Sequence, residues 1–117
     1  MNFEDSVSDL LRDCPGASAA AIIDPDGIPV ASAPSDGDVE EIGAELSAVL
    51  KDVSQAEREL QHGPLRQFTI QAETTEVVVT PLSAGYFLVV ILGRDGLAGK
   101  ARFLSRLTGT RIHSEFI

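Results

Sequence analysis

Tryptophan is missing from these 117 residues, tyrosine and methionine occur once each, and Cys14 is the single cysteine. One cysteine forbids an intrachain disulfide and rules out a metal site built from several thiolates. Cys14 stands just before Pro15-Gly16. It reads as a buried or half-buried bystander, because a redox thiol needs a basic neighbour that the sequence does not place beside it. Long apolar runs are lacking too. The longest, around Tyr86 to Leu92, falls far short of the roughly 20 residues that cross a bilayer. Glu4, Asp5 and Asp9 make the first stretch acidic, the reverse of the basic start of a signal peptide. These absences predict a cytoplasmic protein with no direct membrane insertion.

Basic residues are scarce: nine Lys and Arg stand against 18 Asp and Glu, for a net charge of −9. The imbalance is local, since residues 1–60 hold 14 acids and three bases while residues 61–117 hold four acids and six bases. Nucleic-acid binding is excluded as an expectation, because its electrostatic footprint is a basic patch. An acidic face that steers a basic partner fits the same numbers, and so do plain solubility and helix-dipole matching.

What the chain does hold is a clear order of elements. Asn2 to Asp13 places Phe3, Val7, Leu10 and Leu11 at helical spacing, with Asn2 as cap and acids in the first turn. Two short apolar strands, about Ala19–Asp24 and Ile28–Ser32, flank Asp24-Pro25-Asp26-Gly27. Pro25 presets a turn angle, Gly27 accepts positive φ, and both aspartates can bond nearby amides. Asp38 with Glu41 then forms a capping box for a helix of about 23 residues. Val39, Ile42, Leu46, Val49, Leu50, Val53, Ala56 and Leu60 share one arc of about 120°. Ala44 and Ala48 leave a shallow strip among the charges, where a second helix is able to approach; alanine's helix propensity explains the pair equally well. The helix is long, about 34 Å, against an expected radius of gyration near 13 Å. It is therefore expected to reach past its own core and lean on another chain. Gly63-Pro64 stops it.

Period-two patterns follow in Leu65–Ala72, Glu76–Leu82 and Tyr86–Leu92, separated by short turns that imply antiparallel pairing. The last of these is apolar on both faces, as a central covered strand is. A final helix, about Leu97–Leu107, is expected to bury Leu97, Ala101, Leu104 and Leu107, with Lys100, Arg102 and Arg106 more exposed. The organisation is one domain over residues 1–109 with a tail over 110–117. No internal repeat or low-complexity segment interrupts it.

Catalytic constellations are missing. His62 and His113 are 51 residues apart and read as surface histidines, with no metal-ligand spacing around them. No nucleophile elbow occurs. Gly93 to Lys100 enters a helix after a strand, but the gap between Gly93 and Gly99 is one residue too long for a phosphate loop, and Ala101 replaces the Ser or Thr. Asp24-x-Asp26-Gly27 fails as a calcium loop, because its register puts Ile22 and Ala33 at ligand positions. The expectation is a protein that is not an enzyme and takes no cofactor or metal.

Ala20-Ala21-Ile22-Ile23-Asp24-x-Asp26-Gly27-x-x-Val30-Ala31-Ser32, the long helix, Glu76-Val77-Val78-Val79-Thr80-Pro81-Leu82 and Phe87 to Leu92 together resemble the Roadblock family of dynein light chains and MglB-type regulators. The resemblance covers about residues 3 to 107. It implies an α+β, profilin-like fold in the order α-β-β-α-β-β-β-α. The antiparallel five-stranded sheet would carry the long helix on one face and the two terminal helices on the other. It also implies a homodimer through the third strand and the long helix, with Ala44, Leu46, Ala48, Val49, Leu50, Val53, Phe68 and Ile70 at the interface. The implied partner is a Ras-like small GTPase, whose turnover or localisation the dimer modulates, with Glu41, Glu45, Asp52, Gln55 and Glu59 facing it. Such dimers are not expected to insert an arginine finger, so Arg94 and Arg102 are not candidates on that ground. Other readings stay open: a structural adaptor in a motor or membrane-associated complex, or a small-molecule sensor, for which the sequence offers no polar cluster inside the core pattern. For Thr108–Ile117, disorder, a packed terminus and a partner-binding segment all stay open.

Overall fold

A computed structural model describes residues 2–35 and 39–116. Its elements run α1 (Phe3–Asp13), β1 (Ala17–Ile23), β2 (Pro29–Ala33), α2 (Glu40–Glu59), β3 (Phe68–Gln71), β4 (Glu76–Pro81), β5 (Phe87–Leu92) and α3 (Ala98–Arg111). The strands form one antiparallel sheet in the order β2-β1-β5-β4-β3. Helices α1 and α3 cover one face and α2 the other, which is the expected α+β architecture. The central strand β5 alternates between the two layers: Leu88, Val90 and Leu92 join the α1/α3 side, Phe87 and Val89 the α2 side.

Local chemistry explains most boundaries. Asn2 caps α1 by accepting from the Asp5 amide at 2.8 Å. At the β1–β2 turn the Asp24 carboxylate accepts from the amides of Asp26 (2.9 Å) and Ile28 (3.0 Å). Among the described residues Asp26 makes no such bond, although its type allows it; the Asp24 carboxylate closes the turn. Gly16 and Gly27 both have positive φ. The Gly93–Leu97 loop is held by Gly16 and Pro15, whose carbonyls accept from the Gly93 and Leu97 amides at 3.0 and 3.2 Å. A Cβ on Gly16 would overlap Gly96, so these glycines serve a close loop crossing.

Several expectations need correcting. Helix α2 has 20 residues, because Leu60 caps it and Gln61 and Gly63 turn to positive φ. At about 30 Å it is a little shorter than expected, and its buried residues end at Ser47, with Leu60 at its far end 60% exposed. Its N-cap is Val39, with no side-chain capping bond; the capping box placed on Asp38 lies outside the described residues. Strand β3 is four residues long. The chain before it leaves the sheet because Gln67 turns toward α3, donating to Thr80 Oγ1 and the Arg102 carbonyl, both at 3.0 Å. Leu97 is the N-cap of α3 and 54% exposed, not buried as its spacing implied. Helix α3 runs on to Arg111 and buries Ala101, Ser105 and Thr108. Beyond it Ile112 is fully buried, and Phe116 packs on Phe3 and Tyr86 with ring centroids 5.3 and 5.0 Å apart.

Candidate functional site

Three of the surfaces of helix α2 bear on this site, separated by its 3.6-residue period. Its sheet-facing side holds Val39, Gly43, Leu46 and Leu50. Gly43 is where it comes closest, since a Cβ there would lie 2.8 Å from both the Gly27 carbonyl oxygen and Ile23 Cδ1. Leu46 is buried and Leu50 half-buried against Ile23, Val79, Phe87 and Val89. These two leucines hold the monomer together before they do anything else.

One flank stays apolar and uncovered. Ile42, Val49, Val53, Ala56 and Leu60 fall within about 60° of arc. Val49 is 38% and Leu60 60% exposed. Beside this flank the sheet presents a cross-strand row, Ile70 on β3, Val77 on β4 and Ile91 on β5. Ile70 is 37% exposed, on the edge strand. Between helix and row lies a depression of about 300 Å³, lined by Glu41, Ile42, Glu45, Leu46 and Val77. Phe68, one step along β3, is half-buried in the α2-side core.

The outward surface is acidic. Glu41, Glu45, Asp52, Gln55 and Glu59 are all exposed and share an outward arc of about 80°. Gln55 donates to Glu59 Oε1 at 3.1 Å. Ala44 and Ala48 are exposed but lie on this outward side, about 140° and 100° round the helix from Val49. Of the residues read from sequence as one interface, Val49, Val53, Ile70 and part of Phe68 come together on one surface. Leu46 and Leu50 point into the sheet, and the two alanines face outward. Ile42, Val77 and Ile91 belong with the apolar surface, although sequence reading did not single them out for it. Their cross-strand register is the missing signal, since it depends on pairing partners far apart in the chain.

His62 pairs with Glu57 at 2.9 Å, and His113 Nδ1 lies 2.9 Å from Ser83 Oγ. Burial, and then the Asp13 carboxylate, push the Cys14 thiol up from its ordinary value. Arg12 holds the exposed Asp13 carboxyl below the usual range through a hydrogen bond. Among the described residues no group of three His, Cys, Asp or Glu side chains is placed to hold a metal ion, and no helix is long and apolar enough to cross a membrane.

Comparison with known proteins points one way. The family described as "Roadblock/LC7 domain" matches residues 4–92. A Roadblock/LC7 domain from Streptomyces avermitilis is 19% identical, with 99% of this chain and 98% of that one covered and a TM-score of 0.89. Myxococcus xanthus MglB is 14% identical, with 97% and 94% covered and a TM-score of 0.85. MglC from Myxococcus xanthus is 27% identical, with 98% and 99% covered and a TM-score of 0.70. No curated protein sequence matches the chain.

Proposed function

The chain belongs to the Roadblock/LC7 domain family, and from that premise we propose that it is a homodimeric, non-catalytic regulator or scaffold for a Ras-like small GTPase. The observation that carries the reading is the apolar flank of α2, which continues onto the open edge at β3 beside an acidic outward ridge. Pairing two copies through β3 would satisfy an unpaired strand edge. It would also bring each copy's Val49, Val53 and Ile70 against a neighbouring apolar surface, removing exposed hydrophobic area that a monomer leaves in water. Two such ridges would then lie on one side of the dimer.

The outward acids suit a partner with a basic docking surface and would steer its approach. No nucleophile or general-base constellation is needed for this role. A GTPase carries its own phosphate loop and magnesium ligands, and a regulator acts by biasing its switch segments. A solved MglB with a tetrameric arrangement, 18% identical over 97% of this chain, supports the self-assembly reading.

The test combines mass and turnover. Light scattering should give twice the 12.4 kDa of one chain. GTP hydrolysis by Ras-like GTPases of the same organism should change when the protein is added in excess. A dimer that neither binds nor alters any of them would leave the adaptor reading and remove the GTPase. A monomer at all concentrations would remove the assembly itself.

A further inference from the structure

The opposite flank of α2 has a different character. Ser47, Lys51, Ser54 and Arg58 form a stripe about 60° wide, and beside it two depressions of about 490 and 580 Å³ run on into each other, sharing Ser54, Arg58, Pro81 and Leu82 as walls. Leu50, Tyr86 and Phe87 contribute apolar wall at one end and Leu65 at the other. A third depression, of about 460 Å³, meets them at Pro81 and Leu82 and adds Arg66, Arg106 and His113.

Charge sorts sharply here. Helix α2 has two bases, Lys51 and Arg58, and both line this trough. None of its six acids does, and no Asp or Glu among the described residues lines any of the three depressions. Four of the nine Lys and Arg of a chain with net charge −9 thus converge on one acid-free surface. Lys51 and Arg58 are also uncommitted: the ion pairs among the described residues involve only Arg12 and His62.

We propose that this trough binds an extended, acidic segment of a partner protein, its carboxylates paired with Lys51 and Arg58 and its apolar side chains resting on the half-buried Leu50 and Leu82. Geometry sets the spacing. Seven residues along the helix separate the two bases by about 10.5 Å, which about three residues of polyproline-II chain span at ~3.1 Å each, with every third side chain on one side. Two acids with two residues between them match it. Nucleic acid is the poorer occupant, because a polyanion extends beyond the trough, over the acids on the rest of the molecule, while a short segment stays on the acid-free surface. The trough lies on the far flank of α2 from the apolar flank, so the inference is independent of the proposed dimer and of the GTPase.

The probe is a fluorescein-labelled peptide of sequence GSDVPEVTG, kept extended by its proline, with GSKVPKVTG as its charge-swapped counterpart. Titration by fluorescence anisotropy at low salt should show the acidic peptide binding and the basic one not. Lys51→Glu and Arg58→Glu should each weaken it about tenfold, and the double reversal should prefer the basic peptide. Both side chains are exposed, so sizing and circular dichroism should be unchanged; should a reversal fail to fold, Lys51→Gln and Arg58→Gln serve in its place. Amide shifts should cluster on Ser54, Leu82 and Gly85. Absence of binding, equal binding of the two peptides, indifference to both substitutions, or shifts confined to the Val49 flank would each overturn the proposal.

Discussion

Asp24 and Asp26 are two residues apart in one turn and have unequal duties. Asp24 accepts two backbone amides, so Asp24→Ala leaves two donors of a tight turn without their side-chain partner. It should cost about 0.5–2 kcal/mol, whereas Asp26→Ala should stay within about 0.5 kcal/mol; urea unfolding of the two variants checks both. The sequence signalled the turn and could not rank its aspartates, because the ranking depends on which carboxylate the backbone aims inward. Cys14 poses the same problem with a different answer. Its thiol is buried and raised above its ordinary value by desolvation, so the thiolate fraction at neutral pH is smaller than for a free cysteine. Labelling by a disulfide reagent should therefore be slow in the native protein and complete after denaturation. The pH sign follows from the same shift. The neutral thiol is the form the fold favours, so its contribution is present below the unfolded-state value and fades as pH rises through the folded-state one.

At the scale of elements, α2 decides the most. Spacing gave one apolar arc of eight residues, but a helix on a sheet buries only the part of that arc that the sheet lies under. Leu46 lies in the core, whereas Val49 and Leu60 remain open to solvent. Whether a side chain on the arc serves core or interface is thus set by the crossing of α2 over the strands, which no periodicity encodes. This division makes the assembly testable. Val49→Glu and Ile70→Lys replace exposed apolar side chains, so each should leave the far-ultraviolet spectrum and melting close to the parent while halving the mass seen by light scattering. A mass that stays at two chains for both would put the interface elsewhere. Leu46→Glu would be uninformative, since a charge at a buried position unfolds the monomer first. Helix α3 taught the opposite lesson: its weak pattern concealed a longer helix, followed by Ile112, which joins the α1/α3-side core, and Phe116, which packs on Phe3 and Tyr86.

For the whole molecule, charge placement outweighs net charge. The sum of −9 argues for an acidic protein and hides an acid-free trough, because Arg66 and Arg106 come from stretches of chain far from the α2 pair Lys51 and Arg58 and join it only around Pro81 and Leu82. Docking of a basic partner on the acidic ridge should slow as salt rises from 0.05 to about 0.5 M, mainly in the association rate. Stopped-flow mixing with the GTPase measures this; a rate indifferent to salt would separate the ridge from the docking surface. Binding of the acidic probe peptide to the trough should weaken over the same range, while the dimer, held by apolar contact, should not.

The sequence by itself determined the order of elements, the β1–β2 turn, the central place of β5 and the family, because turn chemistry, period and apolar runs are local properties that read the same before and after folding. Only the tertiary structure decided which apolar residues of α2 are spent on the core and which stay exposed, where the chain before β3 leaves the sheet, and that scattered bases share one surface. Those are consequences of strand register and helix crossing, which arise from contacts between residues far apart in the chain.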